Sequence, residues 1–288
     1  MPTMRRLFLP LLLLLVTAMA HAGVKVMDDA GRTFEAARAP QRVISLLPSL
    51  TESVCALGAC ARLVGVDNYS NYPASVAKLP RLGGLDDVNI EAIVALKPDV
   101  VLAAPSSRVA ERLHALNVAV VTLDAKSYTD VRRVLQKLGE LLDIDTADKL
   151  WAQMEKRVTA AAQSMPARAL GVRVYYEVAS GPYAAGHSSY MGELLDRLGA
   201  RNVIPDKLGP FPKISPEFVV RANPQIIMIG KRDAEGLAQR PGWDKITAIA
   251  EKRVCVFTEA QGDVLARPGP RMAEAAQAMA DCLTMKSK

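Results

Sequence analysis

The sequence predicts an α/β protein: two Rossmann-like lobes with mainly parallel sheets, joined by a single long α-helix. Three observations lead there. Short β-branched runs alternate with helical patterns along the chain, the order that gives parallel strands covered on both faces. Two stretches of the first half recur in the second half in the same order. One uninterrupted helical pattern lies between the copies.

The strand-like runs of the first half are 42–46 (RVISL), 62–66 (RLVGV), 99–103 (DVVLA) and 117–122 (NVAVVT). Those of the second half are 172–178 (VRVYYEV), 202–204 (NVI), 225–229 (QIIMI) and 253–257 (RVCVF). Between them lie apolar patterns at helical spacing, many opened by Ser, Thr, Asp or Asn and closed by Gly or Pro. The stretch Thr51–Ala59 (TESVCALGA) resembles Gly192–Ala200 (GELLDRLGA), and Asn89–Asp99 resembles Ser215–Gln225. In the second pair Glu91 and Glu217 each precede a proline by seven residues, and an apolar strand follows. Two matches in one order point to a duplicated lobe. From Thr146 to Ser164 there is neither Gly nor Pro, and Leu150, Met154, Val158 and Ala161 share one helical face. Lobes joined by such a helix hinge less freely than lobes joined by extended strands, so a cleft with limited closure is expected. The expected division is a signal peptide over 1–22, a first lobe over 23–144, the connecting helix over 145–165 and a second lobe over 166–288.

The leader has Arg5 and Arg6, an apolar run of 14 residues from Leu7 to Ala20, and the small-residue site Ala20-His21-Ala22. This order predicts a secretory signal cleaved after Ala22, and the run falls short of the roughly 20 residues of a membrane span. No cysteine lies near the cut, so a soluble periplasmic product is expected. The formal charge of +6 falls to +4 without the leader's two arginines. The remaining basic residues are dispersed, and no nucleic-acid partner is implied. Cys55, Cys60, Cys255 and Cys282 allow disulfides in an oxidising compartment and equally allow buried thiols. Cys55 can meet Cys60 only if the helix breaks at Gly58, and Cys255–Cys282 would join a strand to the final helix.

Few groups for chemistry remain. Only His114 and His187 survive removal of the leader, too few for a cage of several histidines. Neither G-x-S-x-G nor G-x-G-x-x-G occurs. Gly181–Ser188 resembles a phosphate loop, with His187 where a lysine would reach the phosphates. The simpler reading is a Gly-rich turn that carries Tyr183 to the cleft edge. No catalytic residue and no resident metal or cofactor is expected; the enzymatic alternative would use Tyr183 and His187.

Ligands of open α/β sheets sit outside the carboxyl ends of the strands. Candidates there are Ser49 after the first strand, Tyr69, Ser70 and Tyr72 after the second, and Leu85 and Asp86 before the Glu91 helix. In the second half they are Tyr183, Tyr190, Phe211, Asp263 and Arg267. Two lobes facing each other would line one groove with these residues, suited to a large, partly apolar small molecule.

The segments RVISLLPSLTE (42–52), LVGVDNYSNYP (63–73), LGGLDDVNIEAIVALKPDVVL (82–102), FPKISPEFVVRANPQII (211–227) and RPGPRMAEAA (267–276) resemble the periplasmic substrate-binding proteins for cobalamin, haem and ferric siderophores. The cobalamin branch is the most similar, through Val64–Val66 and Tyr69–Pro73. The resemblance implies a monomeric, non-enzymatic receptor of an ABC importer that takes cobalamin or a related corrinoid, or alternatively haem or a ferric siderophore. It implies ligand contact at Tyr69, Tyr183 and Asp263 to Arg267, with Leu85 and Phe211 standing at two tryptophan positions of the cobalamin proteins. It places Glu91 and Glu217 as the acids that meet arginines of a membrane permease.

Overall fold

The computed structural model describes residues 23–84 and 86–287, so the leader with its cleavage site, and Leu85, lie outside the described residues. The chain opens with a hairpin, β1 (Val24–Met27) and β2 (Thr33–Ala36), which the strand runs above do not include. Asp28 ties it to the first lobe by accepting from the Thr122 amide at 3.0 Å and the Thr122 hydroxyl at 2.6 Å.

The first lobe runs β3 (Val43–Ser45), α1 (Pro48–Ala56), β4 (Leu63–Val66), α2 (Ile90–Ala95), β5 (Val100–Ala103), α3 (Val109–Ala115), β6 (Val120–Thr122) and α4 (Tyr128–Leu142). Its four strands are all parallel in the order β4-β3-β5-β6. The connecting helix α5 covers Ala147–Gln163. The second lobe runs β7 (Arg173–Ala179), β8 (Tyr183–Ala184), α6 (Tyr190–Arg197), β9 (Arg201–Asn202), α7 (Pro216–Ala222), β10 (Ile226–Gly230), α8 (Thr247–Ala250), β11 (Val254–Phe257), α9 (Glu259–Ala266) and α10 (Met272–Lys286). Strands β11, β10, β7 and β9 are parallel neighbours in that order, and β8 adds an antiparallel edge to β7.

Apart from β8, both sheets order their strands second-first-third-fourth, and the repeated segments occupy equivalent elements. Asn89 caps α2 by accepting from the Ala92 amide, and Ser215 caps α7 by accepting from the Phe218 amide. Each helix ends at a residue in the left-handed region, Lys97 (φ 46°) or Asn223 (φ 43°), just before the proline that cannot continue it. In both lobes an arginine at the first strand donates to the carbonyls left open there: Arg42 to Leu96 and Lys97, Arg173 to Asn223. Asp99 and Gln225 return the favour by accepting from the backbone amides of those same arginines.

Helix α5 buries Trp151, Met154, Val158 and Ala161, with Leu150 only partly covered, so Trp151 takes the place that spacing gave to Leu150. The reason is Tyr128, whose ring meets Trp151 edge-on at 5.0 Å between centroids. Helix α10 returns to pack on α5, and one hydrophobic core runs without interruption through both lobes on this side. Smaller separate cores fill the far face of each sheet. Both cysteine pairs are joined, Cys55–Cys60 and Cys255–Cys282. The first closes around Gly58, whose φ of +93° ends α1 there.

Candidate functional site

Between the lobes lies a groove of 610 Å³, walled by the strand-to-helix turns of both sheets. Ser49, Tyr69, Phe211, Asp263 and Arg267 line it, so five of the seven expected ligand residues come together. Leu85 is outside the described residues. Tyr183 stands on the exposed edge strand β8 and is not part of the lining; Lys213 lies over its ring at 6.0 Å.

Tyr69 is presented by a buried polar lattice. After β4 the chain turns at Asp67, whose carboxylate accepts from the Tyr69 amide at 2.7 Å and from the Ser70 hydroxyl. Thr51 donates to Ser45 at 2.8 Å and meets the Ser70 hydroxyl at 2.8 Å. Arg81 donates to the carbonyls of Asp67 and Ser70. With its backbone held this way, the Tyr69 side chain is 64% exposed over the groove, its ring against Gly84. Burial raises the Asp67 pKa above the ordinary carboxylate value, even though Ser70 and the Tyr69 amide favour the ionised form.

Phe211 reaches the groove from the other lobe, 40% exposed. Its loop is pinned where the Gly186 amide donates to the Pro210 carbonyl at 2.8 Å and the Ala184 amide to the Pro212 carbonyl at 3.0 Å. A Cβ at Gly186 would lie 2.0 Å from the Gly209 carbonyl oxygen, so only glycine fits that turn. The Gly-rich segment is therefore a hairpin edge supporting Phe211, not a strand-to-helix loop around a phosphate.

Arg267 lines the groove from within a network of its own. It is buried, and its guanidinium already donates to Glu52 at 3.0 Å, Asn71 at 2.7 Å and the Tyr69 carbonyl at 3.0 Å, and pairs with Asp263 at 3.0 Å. Asp263 also accepts from Asn71 at 2.8 Å. Glu52, in α1 of the first lobe, accepts in addition from Arg271 at 2.6 and 2.8 Å. Arg271 in turn lies 4.3 Å from the Tyr72 ring centre. Two arginines just before α10 thus grip the first lobe at one flank of the groove. A second clamp holds the other flank: the Tyr128 amide donates to Glu193, the Tyr128 hydroxyl to Glu155, and Arg197 covers the Tyr128 ring at 3.9 Å. Nothing local in the sequence marks Glu52, because its partners stand 215 and 219 residues away.

Glu91 and Glu217 are exposed in the first turns of α2 and α7. Each helix leads back into a parallel strand, so its first turn stands at the carboxyl edge of its own sheet, the edge that borders the groove. His187 has both ring nitrogens against carboxylates, Asp196 at 3.2 Å and Asp206 at 3.4 Å. Among the described residues no group of three or more His, Cys, Asp or Glu side chains could hold a metal ion.

Residues 43–260 match the family model described as periplasmic binding protein. The chain belongs to the periplasmic binding protein family. Its curated relatives include an ABC transporter substrate-binding lipoprotein of Bacillus subtilis, 29% identical over 90% of this chain and 85% of that protein. They also include the vitamin B12-binding protein of Pectobacterium carotovorum, 30% identical over 86% of this chain and 90% of its own length. Among solved structures, a possible iron-binding periplasmic solute-binding protein from Staphylococcus epidermidis superposes with a TM-score of 0.75. It is 30% identical and covers 85% of this chain and 99% of its own. The groove of this periplasmic binding protein thus combines a frame of paired charges with exposed aromatic side chains.

Proposed function

We propose that this protein is the extracytoplasmic receptor of an ABC importer, and that it captures cobalamin or a related corrinoid in the inter-lobe groove and delivers it to the permease. The observation that carries the reading is the pairing of Tyr69 and Phe211, one exposed ring from each lobe, across a largely apolar groove of 610 Å³. Such a groove is large enough for one face of a flat macrocycle, whose remainder stays in solvent. The similarity to vitamin B12-binding proteins supports the same cargo. Rigid lobes suit it, since a receptor with little closure discriminates by the shape it already has. Haem or a ferric siderophore is the second reading. It is favoured by the exposed Tyr69 phenol, a group able to ligate iron, and by the iron-binding description of the Staphylococcus epidermidis structure.

The absorption spectrum of protein taken from the periplasm separates corrin, haem and ferric-siderophore cargo. Titration of the purified receptor with cyanocobalamin is expected to saturate, and absence of binding at tens of micromolar would exclude the corrinoid. Docking is assigned to Glu91 and Glu217, duplicated acids suited to a partner of approximate two-fold symmetry. Replacing both with Lys is expected to abolish uptake and leave cargo affinity intact; equal loss of affinity would sink the docking role.

A further inference from the structure

Each sheet ends on the last strand of its lobe's repeat, β6 in the first lobe and β11 in the second, and the two edges are finished differently. Thr122 in β6 and Val256 in β11 are equivalent positions. Their register partners, Ala103 and Ile229, stand equally far beyond Glu91 and Glu217 of the repeat. In the first lobe the opening hairpin covers the edge. The Thr122 amide donates to the Asp28 carboxylate at 3.0 Å, its carbonyl accepts from the Asp29 amide at 2.8 Å, and Thr122 is 2% exposed. Among the described residues nothing does this for β11. The carbonyls of Arg253 and Phe257 face inward, accepting from the amides of Ile227 and Lys231. Val254 and Val256 therefore turn their amides and carbonyls to the open side, where none has a hydrogen-bond partner among the described residues. Val256 is 50% exposed, and with Val254, Leu237 and Ile249 it walls a cavity of 370 Å³ on one face of the sheet.

An open edge of this kind is a template for another strand. We infer that a second copy of this chain covers it, the two β11 strands pairing antiparallel about a two-fold axis at Cys255. In that register the edge is complementary to itself. Val254 of one copy stands opposite Val256 of the other, and each such pair exchanges amide and carbonyl, so every open group of the edge is satisfied. The same pairs set valine against valine on the cavity face, a favourable cross-strand match. The charges at the strand ends agree. Lys252 precedes β11 and Glu259 follows it, both exposed and without an ion-pair partner among the described residues. Antiparallel pairing brings the Lys252 end of one copy to the Glu259 end of the other, whereas strands running the same way would set lysine beside lysine. Arg253 is paired with Glu251 at 2.9 Å, and Lys231 and Arg232 follow β10, one strand further in, beside Asp233. So small a contact has a dissociation constant of about 0.1–1 mM, and the single copy that the family resemblance implies prevails in dilute solution. Because the strands run in opposite directions, the carboxyl edges of the two sheets face opposite ways. Both grooves stay open, but only one copy at a time can turn its groove to a membrane.

Sedimentation velocity of the full mature protein, from micromolar to millimolar concentration, tests this. The wild type is expected to pass reversibly from monomer to dimer. Val256→Lys, at a half-exposed position, is expected to weaken the association by roughly tenfold or more, because both valine pairs are lost and each receives a charge. Lys252→Glu leaves the strand itself alone, sets acid beside acid at both ends, and should weaken the association severalfold. Amide hydrogen exchange locates the contact: protection of the Val254 and Val256 amides should rise with protein concentration in the wild type and not in V256K. A monomer at every concentration would overturn the pairing. So would an association that V256K and K252E leave unchanged, or one that grows while the Val254 and Val256 amides exchange as fast as before.

Discussion

Replacing Arg271 with alanine removes the larger share of the support under Glu52. The Glu52 side chain is 1% exposed, and Arg271 supplies two of its three donors, at 2.6 and 2.8 Å. Arg267, at 3.0 Å, would remain as the sole partner of one oxygen, and the other oxygen would be buried without any donor. Breaking a buried pair by removing one partner costs about 3–5 kcal/mol, and the surviving arginine places this case near the lower end. Loss of the cation over Tyr72, itself 46% exposed, adds roughly 0.5–1 kcal/mol. The expected loss is therefore about 3.5–4 kcal/mol, a fall in melting temperature of roughly 7–16 °C at about 2–4 °C per kcal/mol for a chain of this size. Urea and thermal unfolding at neutral pH, followed by circular dichroism, measure it. Arg271→Lys, which keeps the charge and loses the fork, should fall between the two. The exposed pair Lys25–Glu35 provides the scale for a surface contact, with Lys25→Ala expected to cost under about 1 kcal/mol. A loss for Arg271→Ala no larger than that would refute the brace, because it would mean that Glu52 tolerates burial without its partners.

Other expectations follow from the disulfides and from the buried acid beneath Tyr69. The Cys255–Cys282 link closes a loop of 27 residues and Cys55–Cys60 one of 5, so chain entropy assigns them about 3.5 and about 2 kcal/mol. Cys282→Ser should therefore unfold at lower urea than Cys55→Ser, and the reverse order would contradict the loop-entropy account. Asp67 has a folded pKa above its unfolded value, so its contribution is fully present below the unfolded pKa of about 3.9 and is lost as pH rises through the folded pKa. At neutral pH the ionised carboxylate is a cost, and Asp67→Asn should melt above the wild type at pH 7, with the gap closing as both are taken into the acid range. A variant that melts lower at pH 7 would show that the Ser70 and Tyr69 hydrogen bonds outweigh burial.

Much of the fold is legible because its signals are short in range. The runs RVISL, DVVLA and QIIMI are strands because β-branched side chains suit a doubly covered sheet, and the Asn89 and Ser215 caps bond amides only three residues ahead. The two strands of the opening hairpin escape such a reading: each is four residues long with half its side chains turned outward, and what holds Asp28 in place is Thr122. Trp151 likewise displaces Leu150 from the expected helix face because Tyr128, 23 residues earlier, offers it an edge-on ring.

The candidate site is legible in residue type and less so in role. Tyr69, Phe211 and Arg267 reach the groove as expected from loops at strand ends, but nothing in the sequence shows that Arg267 also holds Glu52, Asn71 and the Tyr69 carbonyl.

The sequence by itself determined the two copies of one repeated pattern, the helix between them and the strand ends at which a groove had to form. Each of these depends on periodicity, caps and breakers that act within a few residues of the backbone they shape. Only the tertiary structure decided which arginines act as braces, how the four cysteines pair, and that α10 closes one core across both lobes. Those outcomes turn on groups as many as 219 residues apart meeting in a space from which water is excluded. There a charge must find its partner, and which partner it finds is set by the packing of the lobes rather than by any neighbour along the chain.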